Sequence, residues 1–377
     1  MSRVWLSSPH MGENERLYVE EAFKTNWVAP LGPNVDAFEK QLADRLSVKS
    51  VLSLSSGTAA LHLALFILGV KHGDSVICQS FTFGASAFPI QYLGAEPIFV
   101  DSEAETWNMD PVLLEKAIQD VIAKGKKPSA IIVVHLYGVP AKMNEILAIA
   151  NRYQIPVVED AAEALGSTYH NKPCGSLGTF GILSFNGNKI ITTSGGGALA
   201  SNDVALMDKA RNLSAQAREP VPYYLHKSVG FNYRLSNICA GIGRGQMEVL
   251  DERISRRRQI YEFYQESLAD VKGISFPATP ENVFCNRWLT TILLDAEVPE
   301  ANERIRVELE KDQIETRALW KPLHQQPVFE KALSYTNGVS DDLYARGLCL
   351  PSGSNLTDET LERVVTKFKK IANEVLR

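Results

Sequence analysis

Short apolar runs alternate with amphipathic stretches along the first two thirds of the chain. Residues 50–54, 75–78, 97–100, 130–134 and 157–158 are brief, apolar and rich in β-branched side chains, the pattern of strands buried in a parallel sheet. Between several of them, segments such as 59–68 and 143–153 place apolar residues at helical spacing. The alternation predicts βαβ units in a doubly wound sheet, with a ligand site at the carboxyl ends of its strands. Met247, Leu250, Ile254, Tyr261, Tyr264 and Leu268 then recur at helical spacing with charges between them, which predicts one long amphipathic helix leaving a first domain. From Gly273 onward strand-like pieces (288–294) mix with helical ones (302–312 and 358–376). The expected architecture is therefore α/β, with a large domain over 1–250 and a smaller α+β domain over 251–377.

Composition narrows the class. A chain of 377 residues, 45% hydrophobic and 22% charged, is long enough for two well-buried cores. Its net charge of -5 gives no general attraction for nucleic acid. Arg256, Arg257 and Arg258 sit in a helical pattern and are expected on a solvated face. The five cysteines are scattered and lack CxxC spacing, so neither a disulfide framework nor a metal site is predicted. That usage suits a reducing cytoplasm. The N-terminus lacks a signal-peptide core, and no run approaches the ~18 apolar residues of a membrane span.

Four polar clusters fall at the ends of predicted strands. Ser55-Ser56-Gly57-Thr58 lies between a strand and a helix, where free N–H groups and the helix dipole hold an anion, or where Ser56 or Thr58 simply caps the helix. Residues 157–163 form a strand ending in carboxylates: Asp160 suits a protonated pyridine nitrogen, a metal ion or a helix cap, and Glu163 a phenolic oxygen or solvent. In 81–85 an aromatic residue stands among small ones, fit either to stack on a flat ligand or to pack in the core. Last, the apolar run from Ile182 ends at Lys189, flanked by Asn186 and Asn188, with Gly195, Gly196 and Gly197 beyond. A lysine so placed forms a Schiff base with a carbonyl compound or is an ordinary surface charge. The glycines permit positive φ and a close backbone approach, or a plain turn.

The order and wording of these clusters resemble the DegT/StrS-type sugar aminotransferases, fold-type I pyridoxal-phosphate enzymes. The similarity runs through Ser8-Pro9-His10-Met11-Gly12, 26–32 (NWVAPLG), 53–65 (SLSSGTAALHLAL), 159–167 (EDAAEALGS) and 186–197 (NGNKIITTSGGG). It continues in 230–237 (GFNYRLSN), Asn286-Arg287-Trp288, 315–324 (ETRALWKPLH) and 349–353 (CLPSG). The resemblance implies a mixed, mostly parallel sheet flanked by helices. It implies pyridoxal 5'-phosphate as cofactor, alternating with pyridoxamine 5'-phosphate.

By the same resemblance Lys189 is the Schiff-base lysine and later the general base, Asp160 the partner of the ring nitrogen, and Phe83 the ring on the cofactor's face. Ser56, Gly57, Thr58, Ser184 and Asn186 hold the cofactor, with Glu163 near its phenolic oxygen where many relatives carry glutamine. Ser194-Gly195 departs from the Gly-Glu of many members. Asn232 matches an asparagine lent across a dimer interface, so a homodimer with shared active sites is implied. Leu31, Gly32, Arg317, Trp320 and His324 lie in matched segments and are the substrate-contact candidates. The implied partners are L-glutamate and a nucleotide-linked 4-keto-6-deoxy sugar. The wording is most similar to the branch that aminates C4 of UDP-2-acetamido-4-keto-2,4,6-trideoxyglucose on the bacillosamine route, with GDP- or dTDP-linked sugars as the alternative. A nicotinamide oxidoreductase fits poorly, since Gly241, Gly243 and Gly245 give no GxGxxG spacing. A non-catalytic sugar-nucleotide sensor would need no pairing of Lys189 with Asp160.

Overall fold

Strands β1 (Ser50–Leu54), β2 (Ser75–Gln79), β3 (Glu96–Val100), β4 (Ala130–Val134), β5 (Val157–Asp160), β6 (Phe180–Ser184), β7 (Gly197–Ser201) and β8 (Leu333–Tyr335) form one sheet in a computed structural model of the chain. It describes residues 2–295 and 297–376; Met1, Ala296 and Arg377 lie outside them. The strand order is β1-β7-β6-β5-β4-β2-β3-β8. From β6 across to β8 every pairing is parallel, whereas β7 is antiparallel to both β1 and β6. The expectation of a parallel partner for 50–54 is thus corrected. Its neighbour in the sheet, β7, is Gly-Ala-Leu-Ala-Ser, a sequence without the β-branched signal that marks the others.

Burial explains why these runs are strands. All five residues of β4 are buried, as parallel strands covered by helices on both faces require. The helix Gly57–Ile67 follows β1, and Met143–Tyr153 joins β4 to β5. The fifth strand expected from sequence, 157–158, extends through two carboxylates to Asp160. Glu159 stays in that buried position because its oxygens accept from the N–H groups of Gly175 (2.9 Å), Leu177 (2.6 Å) and Gly178 (2.6 Å) and bond His135 Nε2 at 2.9 Å. A buried carboxylate is tolerated only when so satisfied.

The predicted long helix is two, Asn237–Glu248 and Leu250–Ser267, separated at Val249 with φ -108° and ψ 5°. Beyond it, strands Ile274–Ser275, Thr290–Leu294, Gly347–Leu350 and Arg317–Ala318 make a small antiparallel sheet in that spatial order. Ile292, Leu294, Leu348 and Leu350 pack there against Ile305 and Leu309 of the helix Ala301–Lys311 and Val364 and Phe368 of Asp358–Val375. Arg257, expected in solvent, is buried. No described helix is long and apolar enough to cross a membrane.

Replacing Glu159 by glutamine keeps the shape but leaves an NH2 group facing N–H donors. The variant is expected to lose about 2–3 kcal/mol of unfolding free energy, measured by urea denaturation; a loss below about 0.5 kcal/mol, the range of ordinary surface changes, contradicts this role for Glu159.

Candidate active site

A cavity of about 400 Å³ opens at the carboxyl ends of β4, β5 and β6, where an open α/β sheet offers free main-chain groups and converging loops. One wall is the turn from β1 into the helix Gly57–Ile67. Ser56 caps that helix by accepting from Ala59 N at 3.0 Å. The N–H groups of Gly57 and Thr58 have no acceptor among the described residues. They present an anion site strengthened by the helix dipole. Ser184, the last residue of β6, stands on the same wall; a Cβ on Gly57 would lie 3.2 Å from Ser184 Cβ and from Leu183 O. Behind the turn β7 runs so close that a Cβ on Gly197 would fall 2.3 Å from Gly57 N. Of the three glycines Gly197 therefore serves a close approach of backbone to backbone, and the positive φ of that loop belongs to Ser194 (72°) instead.

Asp160 ends β5 and lines the cavity floor. Its Oδ2 accepts from Ser86 Oγ at 2.7 Å and its Oδ1 from Ala162 N at 3.2 Å. Ser86 is in turn 3.0 Å from Thr82 Oγ1. These bonds fix the carboxylate's direction without pairing it to a cation among the described residues. Glu163 does not face solvent: it is buried, with Oε2 accepting from Tyr137 N at 2.7 Å and Oε1 3.5 Å from Lys189 Nζ. Burial pushes its carboxyl above the ordinary value, against the opposing pull of Lys189 and the Tyr137 N–H.

The side chain of Lys189 is 13% exposed, which removes the surface-charge reading. Its Nζ lies 4.1 Å from the centroid of the Trp288 ring, a cation–π contact. Tyr137 stacks between Trp288 and Trp320, with centroids 6.4 Å from each. Phe83 stands at the rim, 53% exposed, its ring 5.2 Å from that of Trp320. A large apolar ring left half in water beside a cavity is available to a flat ligand.

The structure thus gathers Ser56, Gly57, Thr58, Phe83, Asp160, Glu163, Ser184, Asn186, Lys189 and Trp320 around one cavity. Five other candidates lie away from it within the chain. Leu31 and Gly32 precede the helix Pro33–Leu46. Asn232 pairs with Ala215 in an isolated bridge. Arg317, 67% exposed, pairs with Glu315 at 2.7 Å, and His324 is held by Ser80 Oγ (2.7 Å) and Asp341 (2.9 Å). Sequence reading misses Ser86 and Tyr137, and gives Thr82, inside the segment 81–85, no role of its own. Only Tyr137 carried a trace, as the aromatic before Gly138; its φ of 53° is uncommon for a non-glycine residue.

An α/β sheet with an amine, a fixed carboxylate and a cradle of free N–H groups at one cavity defines a site for a flat phosphate-bearing aldehyde. The donor set fits pyridoxal phosphate, with N–H groups for its phosphate, a carboxylate for its ring nitrogen and an amine for its carbonyl carbon. Residues 9–369 match the model of the DegT/DnrJ/EryC1/StrS aminotransferase family, and the chain belongs to that family. It is 53% identical over 367 residues to EpsN of Bacillus subtilis, provisionally described as a pyridoxal phosphate-dependent aminotransferase, covering 96% of this chain and 94% of that protein. It is 36% identical over 375 residues to the GDP-perosamine synthase of Caulobacter vibrioides, covering 98% and 99%. Among solved structures, a protein from Streptococcus pneumoniae provisionally described as a sugar aminotransferase superposes in its PLP form with a TM-score of 0.92 at 27% identity, covering 100% of both chains. Its PMP form superposes equally well, at 0.92. The chain is a sugar aminotransferase that uses pyridoxal phosphate, with pyridoxamine phosphate as the aminated form of the cofactor.

The raised carboxyl of Glu163 makes a signed prediction for the cofactor-free protein. A folded-state pKa above the unfolded one contributes stability below the ordinary carboxylate range and loses it as pH rises through the folded value. Glu163→Gln keeps an acceptor for Tyr137 N but does not titrate. Its stability relative to the native chain should therefore increase as pH rises from the ordinary glutamate range, about 4, through the raised folded-state value. Urea unfolding at stepped pH checks this, and a pH-independent difference contradicts it.

Proposed function

We propose that this enzyme transfers the amino group of L-glutamate to C4 of a nucleotide-linked 4-keto-6-deoxy sugar. The observation that carries the reading is the meeting of Lys189 Nζ, the Asp160 carboxylate and the free N–H groups of Gly57 and Thr58 at one cavity. The sugar proposed is UDP-2-acetamido-4-keto-2,4,6-trideoxyglucose, giving the UDP-4-amino-4,6-dideoxy-N-acetylglucosamine of the bacillosamine route. Its support is the wording of the matched segments, above all 26–32 and 186–197. The likeness to a GDP-perosamine synthase along almost the whole chain favours a second reading, a GDP-linked substrate.

When bound, pyridoxal phosphate supplies a carbonyl that accepts the amino group and an electron-poor ring that stabilises the charge left on proton removal. Lys189 retains the cofactor through Nζ and, once released, carries a proton at that atom between substrate and cofactor. Asp160, directed by Ser86, keeps the ring nitrogen protonated. Gly57, Thr58 and Ser184 hold the phosphate with N–H and O–H donors, assisted by Ser56 and Asn186. Phe83 covers one face of the ring, and Glu163 lies beside the amine and orients it. Trp320 is the substrate contact offered by the same chain. Leu31, Gly32, Arg317 and His324 stand outside that chain's own cavity; we propose that substrate reaches them, and that Asn232 reaches the phosphate, in a homodimer with shared sites. Five free cysteines suit work in a reducing cytoplasm.

Incubation with L-glutamate and UDP-, GDP- and dTDP-linked 4-keto-6-deoxy sugars, read by mass and NMR, should yield a C4 amino sugar from the UDP substrate foremost. Product from the GDP sugar alone supports the second reading, and product from none overturns the proposal. Lys189→Ala should lower turnover by about 10³-fold or more, as loss of a covalent catalytic group does. Turnover within about tenfold of the native rate would remove Lys189 from the chemistry.

A further inference from the structure

Arg257, on the helix Leu250–Ser267, is 1% exposed and makes no salt bridge with any described carboxylate. Two arginines nearby on that helix do pair, Arg253 with Glu252 at 2.7 Å and Arg256 with Asp358 at 2.6 Å. Burial alone draws the Arg257 pKa down to about 9, which still leaves the guanidinium cationic at neutral pH. Its Nε has no acceptor among the described residues. An unpaired buried cation is costly, and an apolar side chain of like size would normally serve a core better.

The bonds it does make converge on one place. Nη1 donates to the carbonyl of Trp288. Nη2 donates to Ser7 Oγ at 2.9 Å and reaches the carbonyl of Lys189 at 3.5 Å, the outer limit of a hydrogen bond. Ser7 Oγ passes the chain on by donating to Asn188 O at 2.8 Å, and Trp288 Nε1 donates to that same oxygen at 2.8 Å. One guanidinium thereby ties the N-terminal segment, the loop behind β6 and Trp288 together around peptide 188–189. The ring of Trp288 is also the platform under Lys189 Nζ, 4.1 Å away. Both the main chain that carries the amine and the surface that supports it hang on Arg257. A planar fork of five donors can serve three acceptors at once, which neither methionine nor a single ammonium can do in that geometry.

We propose that Arg257 is a positioning residue for Lys189, its uncompensated charge retained because it clamps peptide 188–189 and Trp288 in register with the cavity. The clamp rests on the reading of Lys189 as the amine that holds the cofactor. Arg257→Met separates positioning from folding. Removing an unpaired buried charge should leave the urea midpoint of the cofactor-free protein unchanged or raised, while amide exchange in the peptide spanning 185–193 accelerates tenfold or more. The rate at which added pyridoxal phosphate forms its lysine adduct, followed by visible circular dichroism, should fall tenfold or more, and Arg257→Lys should recover part of that loss. Native exchange and adduct rates in Arg257→Met overturn the clamp. So does a loss of global stability that matches the loss of adduct formation and that Arg257→Lys does not relieve, since that is a purely structural role. If Arg257→Met does not fold, Ser7→Ala removes the relay through Ser7, both the acceptor of Arg257 Nη2 and the donor to Asn188 O; faster exchange of 185–193 at native stability supports the clamp, and unchanged exchange overturns it. Loosened exchange with the adduct on another lysine overturns the Lys189 assignment, and with it the clamp's part in the reaction.

Discussion

The contact between a partly buried amine and a fully buried carboxylate is the constraint around which the site is built. Lys189 Nζ lies 3.5 Å from Glu163 Oε1 and 4.1 Å from the Trp288 centroid. Removing an ammonium from water is unfavourable unless opposite charge and directed contacts replace the solvent. Glu163 provides the charge, and is itself held by Tyr137 N. Tyr137 reaches that position only with a φ of 53°, a conformation that costs on the order of 1 kcal/mol and persists where surrounding packing enforces it. Here the enforcement is its stack between Trp288 and Trp320. Sequence, backbone strain, packing and reactive amine are thus links of one chain.

The anion end of the cavity is set differently, by main chain more than by side chains. Short β1 delivers the turn at Ser55, Ser56 spends its hydroxyl on the cap, and the next two N–H groups remain free. Glycine at 197 is required because an added Cβ would fall 2.3 Å from Gly57 N in the turn after β1, and at 57 a Cβ would press on Leu183 O of β6 at 3.2 Å. Between the two ends Asp160 is aimed by Ser86, a bond that joins the carboxyl end of β5 to the loop after β2.

Legibility in sequence follows from these physical origins. Strands β2 to β5 were readable because burial on both faces demands continuous β-branched runs, and the rule that such strands carry ligands at their carboxyl ends pointed to Gly57, Asp160 and Lys189. β7 was not readable, since Gly-Ala-Leu-Ala-Ser lacks the signal, and the reversed direction of β1's neighbour followed from the same gap. The break at Val249 left no mark because both flanking helices keep the apolar spacing. Ser86, Tyr137 and Arg257 owe their places to contacts across long stretches of chain, which no local pattern records; sequence even places Arg257 in solvent, its charge being a better guide to the average arginine than to this one. Leu31, Gly32 and Asn232 came from resemblance alone, and one chain does not bring them to its own cavity.

The central claim is that Lys189 is the amine that holds the cofactor. Reduction of the pyridoxal phosphate-loaded protein with borohydride, followed by peptide mapping, tests it directly. A single stable pyridoxyl label on Lys189, lost when L-glutamate is added before reduction, is the predicted result. A label on any other lysine, or one that L-glutamate does not remove, would contradict it.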